Sequence, residues 1–297
     1  MRAREPVQAQ SRAETHVSLQ GREKQPFLLT SARGQALLRQ IPLALASLPM
    51  LAFFALPIVA LVLRVSPGAL LANLVDPTVA QAINLSLTTT LITTGLTVLA
   101  GTPIAYLLAR HRFPGRILID TLIDVPMLLP PAVAGIALLV AFGRRGLLGP
   151  YLDNANIEIA FSTIAVVMAQ IFVAGPFYIK TAITAFARVD REVEQAAAVD
   201  GANAFNIFRL ITLPLCWSTL FTGAVMTWAR ALGEFGATIL FAGNFPGVTQ
   251  TMPLAIYVGF ETDLQGALTL SVILLLIAFL VLAVVKGILR QRMSPIL

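Results

Sequence analysis

Charged side chains are scarce in this chain, making up 12% of its 297 residues, whereas soluble domains carry about 25%. The mean hydropathy is correspondingly high, at +0.81. This scarcity excludes an ordinary soluble globular protein. Several uncharged runs reach the roughly 20 residues that a helix needs to cross a bilayer. The composition therefore predicts an all-α, polytopic transmembrane helical bundle embedded in a lipid bilayer.

Residues that build disulfides, metal centres and nucleotide-binding loops are also rare. The single cysteine, Cys216, excludes an intramolecular disulfide. His16 and His111 lie far apart and lack the spacing of metal ligands. None of the chain's lysines follows the Gly-x4-Gly-Lys-Ser/Thr pattern of a phosphate-binding loop. We therefore expect no metal, no cofactor and no ATPase site on this chain, so that energy must come from a partner or an ion gradient.

Basic residues are more frequent than acidic ones, giving a net charge of +6 and an isoelectric point near 10.1. The sequence contains no nucleic-acid-binding motif, so we expect no nucleic acid as a partner. Lys and Arg in a membrane protein instead mark the loops on the cytoplasmic side.

Six apolar runs are long enough to be spans, at about residues 41–63, 81–109, 119–142, 159–179, 213–229 and 264–285. Residues 1–40 are predicted to be a flexible cytoplasmic tail, residues 41–290 the transmembrane domain and residues 291–297 a second tail. The apolar stretch 233–260 is broken at Gly243-Asn-Phe-Pro-Gly247, which predicts a re-entrant or surface hairpin rather than a seventh span.

The distribution of Lys and Arg fixes the predicted orientation. With the N-terminus inside, 17 of the 21 basic residues fall in inside segments and 4 in outside loops. The positive-inside rule then places both termini and the loop at 187–212 in the cytoplasm. The predicted location is the cell (inner) membrane.

The loop at 187–212 is an unusually long polar interruption between two apolar spans. Val189, Val193 and Ala196 recur at helical spacing, and a second helical pattern follows. Between them Gly201 is suited to a turn at positive φ. Taken alone, this pattern fits an amphipathic connector or a docking element equally well.

The same loop resembles the EAA loop of ATP-binding-cassette (ABC) importer permeases. The family pattern is Glu-Ala-Ala, three residues, Gly, nine residues, Ile, any residue, Leu-Pro. Six positions match in register, and the first position departs, since Gln195 replaces Glu and Glu194 lies one residue earlier. The resemblance implies a type I importer permease fold and a cytoplasmic loop that docks on a separate ATPase. It assigns coupling to Glu194, Gln195, Ala196, Ala197, Asp200, Gly201, Ile211 and Pro214.

Three other groups carry chemistry of their own. Ser86, Thr90, Thr94 and Thr97 share one face of the second span and fit either an anion pathway or tight helix packing. Arg230 and Glu234 fit either an outer oxyanion receiver or a local ion pair. Asp120 and Asp124 fit either a proton relay or interfacial residues near Arg110, Arg112 and Arg116, and we favour the interface.

Further segments are similar to the molybdate/tungstate importer permeases, a family that sulfate permeases resemble. These segments are Leu129-Pro-Pro-Ala-Val-Ala-Gly135, Phe142-Gly-Arg-Arg-Gly146 and residues 234–251, although Val248 stands where the family has a basic residue. The resemblance implies a homodimer, two ABC ATPase subunits and an extracytoplasmic oxyanion-binding protein. The alternatives left open are a sulfate/thiosulfate permease and an ion-coupled secondary transporter.

Overall fold

The structure, a computed structural model, describes residues 32–293. This part of the chain is helical and contains no strand. A π turn, Phe208–Thr212, joins α9 to α10. The helices are α1 Ala32–Arg64, α2 Pro67–Leu74, α3 Pro77–Arg110, α4 Arg116–Leu128, α5 Pro131–Phe142, α6 Gly149–Asn154, α7 Thr163–Ala187, α8 Arg191–Val199, α9 Ala204–Ile207, α10 Leu213–Leu232, α11 Gly236–Phe241, α12 Met252–Thr262 and α13 Leu264–Met293.

Internal contacts divide the chain into two units, residues 1–56 and residues 57–297. The described part of the first unit is the N-terminal portion of α1, which begins at Ala32. The helix α1 already includes residues 32–40, the last part of the predicted tail. Its sequence there is rich in Ala, Leu, Arg and Gln, which propagate a helix readily. The rest of the predicted N-terminal tail lies outside the described residues.

Five single helices are long and apolar enough to cross a membrane, which confirms five of the six predicted spans. They are Leu45–Arg64, Pro77–Arg110, Thr163–Ala187, Ala204–Leu232 and Leu264–Val285. The predicted hairpin between the last two contains only the short helices α11 and α12. Neither is long enough to cross a membrane, as expected for a segment broken by turn residues.

The third predicted span, 119–142, is two helices rather than one. α4 and α5 are bent by 119° at Pro130 and Pro131, where Pro cannot supply the backbone donor that helix continuation needs. Both halves pack on α7, with α4 next to Lys180 and α5 next to Val166. These two levels are about 21 Å apart along a helix axis, so the two halves contact α7 near opposite ends.

Helix α7 is the centre of the bundle. About 56% of its most apolar stretch is buried, compared with 28% for the corresponding stretches of α3 and α13. Its first half packs in a cluster with α5 and α11, including Ala134, Val166 and Phe241. Its second half packs against α3 and α10 around Tyr178 and Phe186. α7 therefore connects the end of the bundle that carries α8 and α9 to the opposite end that carries α11.

Candidate functional site

The segment that the sequence singled out folds as two short helices joined by a tight turn. The Asp190 carboxylate caps α8 by accepting the Glu192 N–H at 3.0 Å, and acidic residues in the first turn complement the helix dipole. Asn203 caps α9 by accepting the Asn206 N–H at 2.8 Å. Both caps satisfy donors that a helix N-terminus leaves free. The sequence of the loop therefore contains the capping residues that define where its two helices begin.

Gly201 ends α8 in the left-handed conformation, with φ +90. Its N–H donates to Ala198 O and the next N–H, from Ala202, donates to Ala197 O, which is the hydrogen-bond pattern of a Schellman motif. No heavy atom lies within 4 Å of the position that a Cβ would occupy. The predicted positive φ is confirmed, and glycine is required there by the backbone rather than by crowding.

Glu194 faces the bundle. Its Oε1 accepts hydrogen bonds from Arg110 Nη2 at 2.9 Å and from the Thr212 hydroxyl at 2.6 Å. The side chains of Arg110 and Glu194 are only 7% and 16% exposed. This single carboxylate oxygen thus joins α8 to the end of α3 and to the π turn before α10.

The other predicted coupling residues surround this contact. Gln195, Ala196, Asp200, Gly201 and Pro214 are exposed, whereas Ala197 and Ile211 are half-buried. Two large apolar side chains on the same segment also face outward, since Val199 is 87% exposed and Phe205 is 66% exposed. An outward apolar surface on a short polar loop is typical of a protein-docking site.

The π turn has a local cause. Pro214 lacks an N–H, and its ring would clash with the carbonyl four residues earlier in an ideal α-helix. The backbone widens instead, so that the Leu213 N–H donates to Phe208 O. Widened turns of this kind are frequent at functional sites. Here the turn brings the Thr212 hydroxyl to Glu194.

An apolar groove of about 680 Å³ lies beside this end of the bundle. Its walls come from α3, α7, α9, the π turn and α10, and include Leu99, Pro103, Phe208, Trp217 and Phe221. Tyr106 and Phe208 form an edge-to-face pair next to it, with ring centroids 5.1 Å apart. Phe208 therefore packs the loop against the aromatic side chains of the core. The groove beside it is open to the surface.

The predicted hydroxyl row on α3 lies inside the bundle. Ser86, Thr90 and Thr97 are buried and Thr94 is half-buried. The Ser86 hydroxyl accepts the Met252 N–H at 2.7 Å, and Thr90 donates to Ser86 O at 2.7 Å. The structure gives most of these hydroxyls internal partners, and a role in an anion pathway stays a prediction.

Sequence reasoning missed a neighbouring polar contact between α3 and α7. The Thr93 hydroxyl donates to Gln170 Oε1 at 2.9 Å, and Gln170 Nε2 donates to the Thr89 hydroxyl at 3.3 Å. All three residues are buried. Gln170 is the large polar residue of an otherwise apolar run, which was the available signal.

The predicted i,i+4 ion pair of Arg230 and Glu234 is present at 2.7 Å. Glu234 is 1% exposed and also accepts the Ala237 N–H at 2.9 Å, which caps the approach to α11. Arg230 is about one-third exposed. The carboxylate therefore balances the arginine charge and holds the local chain, and oxyanion reception by Arg230 stays a prediction.

Asp120 and Asp124 have a cation partner that the sequence analysis did not foresee. Lys180 Nζ donates to both carboxylates, at 2.7 and 2.8 Å. The fourth span was predicted to end before Lys180, and the helix α7 continues beyond it to Ala187. The signal was two carboxylates at i,i+4, which need a cation from another helix when they lie near a membrane.

Among the described residues, no three or more His, Cys, Asp or Glu side chains lie close enough together to hold a metal ion. The lone Cys216 is buried, and its thiol donates to Ala185 O.

Residues 101–295 match the family model described as "Binding-protein-dependent transport system inner membrane component". The chain belongs to this family of transport permeases. It is 45% identical over 231 residues to the molybdenum transport system permease protein ModB of Mycobacterium tuberculosis, covering 77% of this chain and 87% of the relative. It is 38% identical over 222 residues to the sulfate transport system permease protein CysW of Synechococcus elongatus, covering 74% and 77%.

The fold of this permease is also that of solved importers. A bacterial ABC transporter involved in the import of the acidic polysaccharide alginate superposes with a TM-score of 0.70 at 14% identity, covering 88% of this chain and 99% of that chain. The likeness confirms the predicted all-α ABC importer permease fold. The chain is a multi-pass inner-membrane permease.

Proposed function

We propose that this chain is the membrane-spanning subunit of an ATP-driven importer for molybdate and tungstate. The relatives named as molybdenum permeases support this substrate class over the more distant sulfate permease. The chain would form the translocation pathway, and ATP hydrolysis would take place on a separate subunit. No covalent chemistry on the anion is required of this chain.

The observation that carries the proposal is the geometry of α8, Gly201 and α9. The segment is rigidly capped at both helices and is joined to the bundle through Glu194. It presents Val199 and Phe205 outward. A short element with fixed shape, an apolar outer surface and a firm inner attachment is suited to receive force from a partner. We assign that partner as the ABC ATPase.

The proposed assembly has two copies of this chain, two ATPase subunits and an extracytoplasmic binding protein. Both termini and the α8–α9 segment lie in the cytoplasm in this arrangement. The orientation rests on the distribution of basic residues. It is supported by the contact between Arg110 and Glu194, since two segments assigned independently to the inside meet at one end of the bundle.

Transport in this assembly is alternating access. Closure of the ATPases draws the two α8–α9 segments together and opens the outward face, where the binding protein releases its anion. Along the pathway, hydroxyls, amides and helix N-termini contact the tetrahedral oxyanion, and no tight binding site is required. Selection among oxyanions belongs to the binding protein.

Reconstitution tests the proposal. The permease is placed in liposomes with the ATPase and binding protein of the same organism, and uptake of molybdate, tungstate and sulfate is measured with and without ATP. We expect ATP-dependent uptake of molybdate and tungstate, with weak competition by sulfate. Uptake that follows sulfate would contradict the substrate, and uptake without the ATPase would contradict the importer class.

The sulfate/thiosulfate permease is the second candidate, favoured by the 38% identity to the sulfate relative. An ion-coupled transporter is less well supported, because both carboxylates of the α4 pair are bonded to Lys180 and so are not free proton carriers.

A further inference from the structure

The strongest unassigned feature is the contact that holds α8 to the bundle. No residue of α8 is buried, so the helix is not attached by an apolar face. Its fixed contacts are polar and meet at Arg110. The Glu194 carboxylate pairs with the Arg110 guanidinium at 2.9 Å, and Arg191 Nη2 donates to Arg110 O at 3.2 Å.

The same carboxylate reaches a second helix. Glu194 Oε1 also accepts the Thr212 hydroxyl at 2.6 Å. Thr212 is fully buried in the π turn, and this turn is continuous with the apolar helix that ends at Leu232. Arg110 is the last residue of α3, which starts at Pro77. One oxygen atom therefore joins α8 to the ends of two bundle helices.

Burial makes this contact costly to break. The Arg110 and Glu194 side chains are 7% and 16% exposed, so either charge would be left poorly solvated if its partner moved alone. Arg110 Nε is buried without a hydrogen-bond partner among the described residues. An unpaired buried donor lowers the net stabilisation that the pair provides.

Glu194 also points away from the surface that a partner would reach. Successive residues of a helix project about 100° apart, and the next residue, Gln195, is exposed. The acidic residue beside the family's Glu position is thus directed into the bundle, and the uncharged Gln195 is left on the docking side.

We infer that Arg110, Glu194 and Thr212 form a joint that passes movement of α8 to the ends of α3 and α10. These are positioning residues, since they act through the helices and touch neither the anion nor the nucleotide. The inference rests on the proposed function, because the movement originates in the docked ATPase. Glu194 is an internal contact in this account and not an ATPase contact.

The test uses the full-length permease assembled with its ATPase and binding protein. The variants are Glu194→Gln, Arg110→Met, Thr212→Val and the exchanged pair Arg110→Glu with Glu194→Arg. Glu192→Gln is the matched control, because Glu192 lies on the same helix and is exposed. Three quantities are measured: co-purification of the ATPase, ATP hydrolysis and anion uptake per ATP hydrolysed.

We expect Glu194→Gln and Arg110→Met to retain the ATPase and to lose about tenfold in uptake per ATP, as removal of a charge-assisted hydrogen bond predicts. Thr212→Val loses less, Glu192→Gln behaves as the unaltered protein, and the exchanged pair recovers part of the loss. Unchanged uptake per ATP in both charge variants would overturn the joint. Detachment of the ATPase by Glu194→Gln but not by Arg110→Met would overturn it in favour of a direct ATPase contact.

A second measurement needs no ATPase and so separates this inference from the proposed function. Amide hydrogen exchange of the purified full-length permease reports local opening. Glu194→Gln should speed exchange across residues 191–212 and leave residues 236–262 unchanged. If Glu194→Gln changed the exchange rates of both segments to the same extent, the joint would be contradicted. This holds even if no ATP-driven transport were found.

Discussion

Two glutamates at opposite ends of the bundle show how similar side chains serve different purposes. Glu234 is bonded locally, to Arg230 four residues before it and to the Ala237 N–H three residues after it. Glu194 is bonded to Arg110 and Thr212, which are 84 and 18 residues away. The first holds one segment in shape, and the second links three elements.

The two glutamates also differ in how closely their surroundings are packed. Glu234 is 1% exposed and lies next to α11, which packs on α5 and α7. Glu194 is 16% exposed, and its helix α8 has no buried residue. A local bond in a dense core supports stability, whereas a distant bond at a sparsely packed end allows movement to be transmitted.

The largest loss of stability is expected for Glu234→Ala. It removes a buried carboxylate that accepts from both Arg230 and a backbone N–H, and this should cost about 2–4 kcal/mol of the free energy of unfolding. Glu261→Gln, on the exposed face of α12, is the control and should change little. Thermal unfolding in detergent measures both. A loss for Glu234→Ala no larger than for the control would contradict the structural role of Glu234.

Gly201→Val should have a smaller effect on stability and a large one on transport. A β-branched residue at φ +90 is strained by about 1–2 kcal/mol, so that α8 and α9 change their relative direction. We expect the permease to insert normally, with ATP-dependent uptake lost. Gly201→Asn is the matched variant, since Asn tolerates this conformation, and should keep much of the uptake. Equal uptake by the two variants would leave the turn without a role.

Ala197→Arg tests the docking surface next to that turn. Ala197 is half-buried and its neighbours offer almost no side chain, so a long cation would block the close approach of another backbone. We expect the ATPase to co-purify poorly while the permease remains folded. Retention of the ATPase would indicate that docking uses another surface.

Lys180→Met should have a modest effect on α4. It removes the cation from two partly exposed ion pairs, and such pairs are worth about 1 kcal/mol or less each. Hydrogen exchange should increase in residues 116–128 and stay constant in α7, and Lys180→Arg should preserve the slow exchange. Unaltered exchange in α4 would show that packing alone holds it.

The smallest effect is expected for the Arg144–Glu158 pair, where both side chains are more than half exposed. The hydrogen bond from Arg144 lowers the pKa of Glu158. Its contribution is therefore present above the unfolded pKa and is lost as the pH falls through the folded pKa. We expect Glu158→Gln to leave the unfolding temperature at neutral pH unchanged. A clear decrease would show that this pair is less screened than its exposure implies.

The sequence predicted the parts of this molecule that depend on local pattern. Apolar run length identified five of the spans and Gly201 marked the turn at positive φ, whereas the run that divides at Pro130 and Pro131 was predicted as one span. These features follow from helix length, missing donors and backbone freedom, which act within a few residues.

Partners across the bundle were less accessible to sequence reasoning. The bonds of Glu194 to Arg110 and of Lys180 to Asp120 join residues 84 and 60 positions apart, and no periodicity specifies them. The spacing of the hydroxyl row predicted that its side chains share one face of α3. It did not predict which helix packs against that face.

The central claim is that the α8–α9 end, and not the α11 end, receives the ATPase. Cross-linking measures this directly. In a Cys216→Ala background, Phe205→Cys and Val248→Cys place single thiols on exposed sites at the two ends, and each is linked to the assembled complex with a short thiol-to-amine reagent. The account predicts that position 205 is linked to the ATPase subunit and that position 248 is not. A link to the ATPase from position 248, or none from position 205, would contradict it.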